Sequence, residues 1–510
     1  MSPLEPSIFG SKLAPRSPPL CDAGADDDIS LGQVVPGSTQ SSQLPKFLTN
    51  NPLPNGFPWG NLNANTSNPL GPPPNTGVTR TYDFTIKRQK KSPDGVQRDV
   101  IIVNGQIPGP TIQANWGDMI QVTVHNQITG PDEGTAFHWH GLLQTGTPYM
   151  DGVPGVTQCP IPSGQSFTYT FQANQVGTSW WHSHYSAQYS GGAAGPMIIY
   201  GPSHVPYDND VGPMFLTDWY HRPYLKIVEQ VMQPVPITPT GPDFSAIIPL
   251  SDNNMINGQN NFDCSKITDG TPCKSNAGVP TFRFSPGKLQ RIRLINAGSE
   301  GVQKFSIDGH DMTVIANDFT QIVPYTTKIV TLGVGQRTDV IVKGLANGTG
   351  AYWVRSTLSS CSFTTQGNAL GIAYYLHDAL DTPPTTTAWP DNTDPCANDP
   401  LASTVPWFPI TPAASPATTA NIEIGATINA TGNFVWTMNG SAFRANYNNP
   451  TLLLAKADIA WHVSGGLYVN IMERPDDIVN INIPSSLVDT CHQWADFTGT
   501  EVPNQIDSGE

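Results

Sequence analysis

Short apolar runs recur along most of this chain, alternating with polar residues in Ile120 to Val124 and Phe167 to Phe171, and unbroken in Val100-Ile101-Ile102-Val103 and Met197 to Tyr200. Runs of this length with a period near two predict half-buried β-strands rather than helices. The strand pattern sets in at Arg80. Residues 1–78 are instead rich in Pro, Asn, Gly and Ser and hold no lasting periodicity, which predicts a disordered or wrapping N-terminal arm.

The strand pattern repeats. Pro110-Thr111-Ile112, Gly117, Ile120-Gln121-Val122-Thr123-Val124 and Asn126 recur 170 positions later, without a gap. The second copy reads Pro280-Thr281-Phe282, Gly287, Gln290-Arg291-Ile292-Arg293-Leu294 and Asn296. A hydrophobic residue followed by Asn-Gly precedes each copy, at Val103-Asn104-Gly105 and Ile256-Asn257-Gly258, and appears a third time at Met438-Asn439-Gly440. Three copies of one β-sandwich are predicted, at about residues 79–203, 204–380 and 381–510.

Two histidine pairs fall in the first copy, His138-Trp139-His140 and His182-Ser183-His184. Residues two apart on a strand share a face, so each pair points two imidazoles the same way. Four convergent imidazoles suit copper, zinc, iron or nickel rather than magnesium or calcium. The second copy has Asp308-Gly309-His310 at the corresponding place and no second pair, so His310 reads as structural and the middle unit as metal-free.

Composition narrows the picture. Only 13% of the 510 residues are charged, while 47 Gly and 49 Pro fit many strands and turns. A net charge of −15 argues against nucleic acid or an anionic membrane as partner. No run of eighteen apolar residues is present to span a membrane. Sequons at Asn65, Asn347, Asn429 and Asn439 and seven cysteines are compatible with secretion, although the first thirty residues show no signal peptide.

The residues around the histidines carry a resemblance. Phe137-His138-Trp139-His140-Gly141, then Asp151-Gly152-Val153, then Gly177-Thr178-Ser179-Trp180-Trp181-His182-Ser183-His184 with Gln188-Tyr189, resemble the first two copper motifs of laccases, the ascomycete type above all. Laccases are multicopper oxidases, which take single electrons from phenols or similar donors and reduce dioxygen to water. The resemblance implies an all-β chain of three tandem cupredoxin-like Greek-key sandwiches, an extracellular monomer, copper as cofactor, and a phenolic substrate. It implies that His138 binds the type 2 copper and that His140, His182 and His184 bind the type 3 pair. It matches Asp252 to the carboxylate that accepts the phenol proton, and Asp151 to one near the type 2 copper. Either aspartate reads equally as a turn residue. It also implies disulfides Cys159–Cys491 and Cys361–Cys396, with Cys264–Cys273 as a local pair and Cys21 left over.

The third copy breaks off. Asn449-Pro450-Thr451-Leu452-Leu453-Leu454-Ala455 matches the start of the strand that opens at Pro110, but the expected glycine, second strand and asparagine do not follow. His184 lies 74 positions after Pro110, whereas His462 lies 12 after Pro450. Ile459 to Leu467 resembles the end of the fourth laccase motif, with His462 as a type 1 ligand and Leu467 at the axial position. Where that motif has His-Cys-His, this chain has Lys456, Ala457 and Asp458, and the third motif, His-Pro-x-His-Leu-His-Gly-His, is nowhere in the sequence. A type 1 site needs a thiolate in a His₂Cys set. The expectation is therefore a laccase relative that is inactive as written, binding one or two copper ions at most. Its alternatives are a non-catalytic copper-binding relative, or an incomplete gene model or splice product of an active laccase. The preferred phenol and the biological role, lignin attack among the possibilities, depend on loops the sequence does not decode.

Overall fold

A computed structural model of the chain describes residues 67–456 apart from 377–379, 381, 395, 413, 417–418 and 443–444, together with 59, 62, 64, 478 and 480–498. The fold is all-β with a few short helices. The first sandwich has eight strands: β1 (Thr79–Lys91), β2 (Arg98–Val103), β3 (Ile112–Asn115), β4 (Met119–Asn126), β5 (Phe137–Trp139), β6 (Ser166–Gln172), β7 (Gly177–Ser183) and β8 (Ala194–Tyr200). They form two four-stranded sheets, ordered β2-β1-β4-β6 and β3-β8-β7-β5. Ile120, Val122 and Val124 face Phe137, Trp139, Trp181, Met197 and Ile199 in one core.

The second sandwich pairs a six-stranded sheet with a five-stranded one over residues 209–374. Here the sequence repeat becomes a topological one. β4 runs parallel to β1 and antiparallel to β6. Its counterpart Leu289–Asn296 runs parallel to Asn209–Trp219 and antiparallel to Arg337–Lys343. The asparagine closing each strand does the same work in both. Asn126 Nδ2 donates to the Glu133 and Ile161 carbonyls, and Asn296 Nδ2 to those of Gly301 and Leu332.

The Asn-Gly markers are one turn built three times. Asn104, Asn257 and Asn439 have φ of 51°, 50° and 50°, and the glycines after them 72°, 70° and 79°. Two consecutive left-handed residues make the hairpin turn that Asn-Gly favours. Each asparagine side chain also accepts a backbone N–H, from Thr85, Phe215 and Glu423 respectively.

After the third turn the pattern changes. The hairpin Ile424–Ile428 and Phe434–Met438 is a two-stranded sheet by itself. Thr451–Lys456, expected as a strand on the model of β3, forms a helical turn. β3 exists by pairing with β8, and among the described residues the third unit has no such partner. Leu-Leu-Leu-Ala without a ladder to join follows its helical propensity. Leu453 packs on the first core instead.

Two straps tie the chain together. Residues 399–407 run along the second sandwich, with Val323 N–H donating to Val405 O and Tyr325 Oη to Asp399. The helix Ser485–Thr498 docks on the first sandwich through Leu487, Cys491 and Trp494, spaced as one helical face. Three disulfides are formed, Cys159–Cys491, Cys264–Cys273 and Cys361–Cys396.

Candidate metal centre

The geometry of the histidines follows from strand register. β5 and β7 pair antiparallel with Phe137 opposite Ser183, His138 opposite His182, and Trp139 opposite Trp181. Directly opposed residues share a face. Phe137, Trp139 and Trp181 therefore fill the core, and all four histidines project from the other side. Trp180, on the histidine side, stacks on His182 with ring centres 4.2 Å apart.

The coordinating nitrogens of His138, His140 and His182 lie within 4.8 Å of one another. His184 completes the face, its ring centre 5.6 Å from His138 and 5.7 Å from His182. Local contacts decide which nitrogen each ring offers. His138 Nδ1 meets the Asp151 carbonyl at 2.8 Å, and the Asp151 carboxylate at 3.4 Å. An acceptor there holds the proton on Nδ1 and leaves the Nε2 lone pair for a ligand. His182 Nδ1 meets the Ser183 carbonyl at 3.0 Å, with the same result. His140 turns Nδ1 inward, 3.3 Å from His182 Nε2. The two nitrogens are near enough that His140 and His182 could hold one ion between them. The donor set thus fits copper: imidazole nitrogens that converge, with backbone acceptors orienting His138 and His182.

Asp151 is held by its turn. The segment 148–152 is pinned by Trp139 Nε1 donating to Met150 O. Gly152 has φ of 80°, and a Cβ there would lie 1.7 Å from Phe137 O, so only glycine lets the turn close on β5.

Burial keeps most of the cluster neutral. Burial, then Arg337 and the neighbouring histidines, lowers His140 to about 2. His182 is pushed well below the usual imidazole value by burial and the other three rings. Burial and His138 bring His184 to about 4. His138 alone is raised: burial opposes its charge, but the Asp151 carboxylate and carbonyl outweigh it. Each lowered histidine is neutral when folded and takes up a proton on unfolding below pH about 6.5, so its contribution is lost as pH falls. His138 has the opposite sign, its stabilisation being lost as pH rises through its folded value. Three against one, the metal-free protein is expected to melt at lower temperature at pH 5 than at pH 7. His184→Gln should recover about 1–2 kcal/mol of that difference. An identical pH dependence of melting in the variant would contradict the assignment.

Sequence reading missed the contribution of the second sandwich. Arg337 Nε donates to the Thr178 carbonyl at the start of β7 (3.1 Å). A Cβ on Gly335 would lie 3.2 Å from His140 Nε2. Buried Arg293, paired with Asp210 and Asp339, also donates to Thr178 Oγ1. No motif signals these residues. Gln188, quoted with the second motif, bridges Ser183 Oγ, Thr135 Oγ1 and the Glu133 carboxylate. His310 uses both nitrogens, on the Asp308 carbonyl and Tyr375 Oη, which leaves it no lone pair to offer.

Asp252 sits in a different cluster. Its carboxylate accepts the His221 backbone N–H at 2.7 Å, and His221 Nε2 meets buried Asp94 at 2.7 Å. Asp94 accepts in turn from Asn253 Nδ2 and from the backbone N–H of Val96, which bridges to Cys273 in the Cys264–Cys273 loop. His462 and Leu467 lie outside the described residues.

Comparison with known proteins agrees with this arrangement. Two sequence models of the family described as multicopper oxidase match residues 75–204 and 210–378. Laccase-2 of Botryotinia fuckeliana is 39% identical over 78% of this chain and 64% of its own length. Oxidoreductase OpS5 of Beauveria bassiana is 40% identical over 83% of this chain and 70% of its own. The crystal structure of the laccase from Botrytis aclada superposes with a TM-score of 0.76 at 29% identity, covering 87% of this chain and 97% of that one. The chain thus spans about two thirds of the length of the curated relatives named here. With two sandwiches in the family arrangement and the histidine face of a copper site, the chain belongs to the multicopper oxidases.

Proposed function

We propose that this chain is a copper-binding multicopper oxidase relative that holds half of an oxygen-reducing centre and does not turn over phenols. His138 is assigned to the type 2 copper, and His140, His182 and His184 to the type 3 pair, on the resemblance to laccases and on the convergent geometry. The observation that carries the negative part is the use of cysteine. Six of the seven cysteines are joined in disulfides, and the seventh, Cys21, is flanked in sequence by Leu20 and Asp22 rather than by histidines. Type 1 copper depends on a thiolate, so His462 and Leu467 alone provide no electron entry. Among the described residues, the His138–His140–His182 group is also the only cluster of three or more metal-binding side chains. Bound copper would supply a redox-active ion at that face. The chain itself contributes orienting acceptors at His138 and His182, and the Asp151 carboxylate as a proton-holding group beside them.

In this reading Asp252 retains the position of the phenol-proton acceptor, held by His221, without an adjacent oxidant. The partition into an arm (1–78), two sandwiches (79–203 and 204–380) and a truncated third unit (381–510) goes with it. Three disulfides and the exposed sequons Asn347, Asn429 and Asn439 support an oxidising, extracellular setting. Copper-loaded protein is expected to consume no oxygen above background with a simple phenol. Sustained uptake proportional to enzyme would sink the proposal. A second reading, that an internal piece has been lost from an active laccase, is favoured by the abrupt join between Ala455 and Ile459. Sequencing the transcript across codons 450–465 decides it, since a His-Cys-His segment there would establish the longer protein.

A further inference from the structure

We propose that Arg337, from the sandwich without copper motifs, is a positioning residue of the copper half-site whose fixed charge biases a bound ion towards the cuprous state. The inference rests on the assignment of the histidine face as a copper site. Arg337 opens the strand Arg337–Lys343, and its side chain is only 4% exposed. Four contacts fix the guanidinium. Nε donates to Thr178 O (3.1 Å), Nη1 donates to Gly335 O (3.0 Å) and pairs with Asp318 Oδ1 (3.0 Å), and the group lies over the Phe319 ring. The free edge faces the copper motif, since a Cβ on Gly141 would come within 2.8 Å of Nη2. Gly335, two residues earlier, closes on His140 from its Nε2 side, which leaves Nδ1 as the nitrogen turned towards His182. A residue from the neighbouring domain therefore stands immediately behind the motif, bonded to both the start of β7 and the loop that confines His140.

A buried cation at this place repels the divalent ion more than the monovalent one, because the interaction scales with the product of charges and is weakly screened away from solvent. Asp318 offsets part of the charge, and it can be altered with little loss of packing because it is half exposed. An asparagine there keeps the acceptor oxygen that receives the Arg337 backbone N–H. The two residues should thus act in opposite directions on the same quantity, the ratio of Cu(II) to Cu(I) affinity.

The full-length protein is titrated with Cu(II), and separately with Cu(I) under reductant, against chelators of known affinity. Arg337→Gln is expected to raise the Cu(II)/Cu(I) affinity ratio about tenfold, equivalent to a potential about 59 mV lower for a one-electron couple. Arg337→Lys, which keeps the charge, should stay near the wild-type ratio, and Asp318→Asn should lower it several-fold. Equal weakening of both ions in Arg337→Gln would mean a purely structural role and overturn the inference. If Arg337→Gln does not fold, Asp318→Asn decides, and an unchanged ratio there overturns it. Failure of the wild-type chain to bind either ion would overturn the copper assignment along with it, whereas wild-type binding with unmoved ratios would overturn this inference alone.

Discussion

Replacement of His182 by glutamine is expected to lower copper affinity at least about 100-fold while leaving the fold intact. His182 is opposed to His138 across the β5–β7 ladder, 3.3 Å from His140 Nδ1, and stacked under Trp180. Its ring centre lies 5.3 Å from that of His138 and 5.6 Å from that of His140, so it touches both members of the other pair. Loss of acceptors that merely orient a ligand costs 10–100-fold in metal affinity, so loss of a central ligand should exceed that. Glutamine occupies nearly the same space, and the Trp181 and Trp139 core behind the strand is untouched. His310→Gln supplies the control. It should leave copper binding unchanged but cost about 1–3 kcal/mol of stability, because both its nitrogens are bonded in the second sandwich. Equal copper affinity in wild type and His182→Gln would remove the histidine face from consideration.

The second large effect concerns the C-terminal helix. Cys491 joins Cys159 across 332 positions, and closing a loop of that length removes about 5–6 kcal/mol of unfolded-chain entropy on the loop-entropy model. The double substitution Cys159→Ser and Cys491→Ser should therefore lower the melting temperature by many degrees. It should also loosen the helix Ser485–Thr498. Trp494, now 1% exposed and set against Tyr185 and Tyr447, would then shift its fluorescence towards that of a solvated indole. The consequence reaches the metal face, because Tyr185 follows His184 directly and Ser186 N–H donates to Tyr447 Oη. An unchanged melt with Trp494 still buried would show that packing alone holds the helix.

Much of this architecture is legible in the sequence because backbone geometry demands particular residues. A two-residue left-handed turn calls for Asn-Gly, so three such markers announce three hairpins. A strand two residues per period puts His138 with His140, and His182 with His184, on one face. What stays hidden depends on contacts between distant segments. Nothing near Arg337 or Gly335 in the chain signals that they close on His140. The Asp94–His221 support of Asp252 joins residues 127 positions apart. The helical turn at Thr451–Lys456 escaped because the local sequence matches β3, while strand formation depends on a partner that the third unit does not show among the described residues. Local pattern specifies a strand only where a neighbouring strand is present to receive it.

The proposed function requires that the chain bind copper through imidazoles alone, without a thiolate site. Electron paramagnetic resonance of the Cu(II)-loaded full-length protein tests it most directly. A tetragonal signal with wide copper hyperfine splitting and nitrogen superhyperfine structure is expected, disappearing in His182→Gln. A narrow hyperfine pattern of the kind given by copper–thiolate coordination, or the absence of any bound-copper signal, would contradict it.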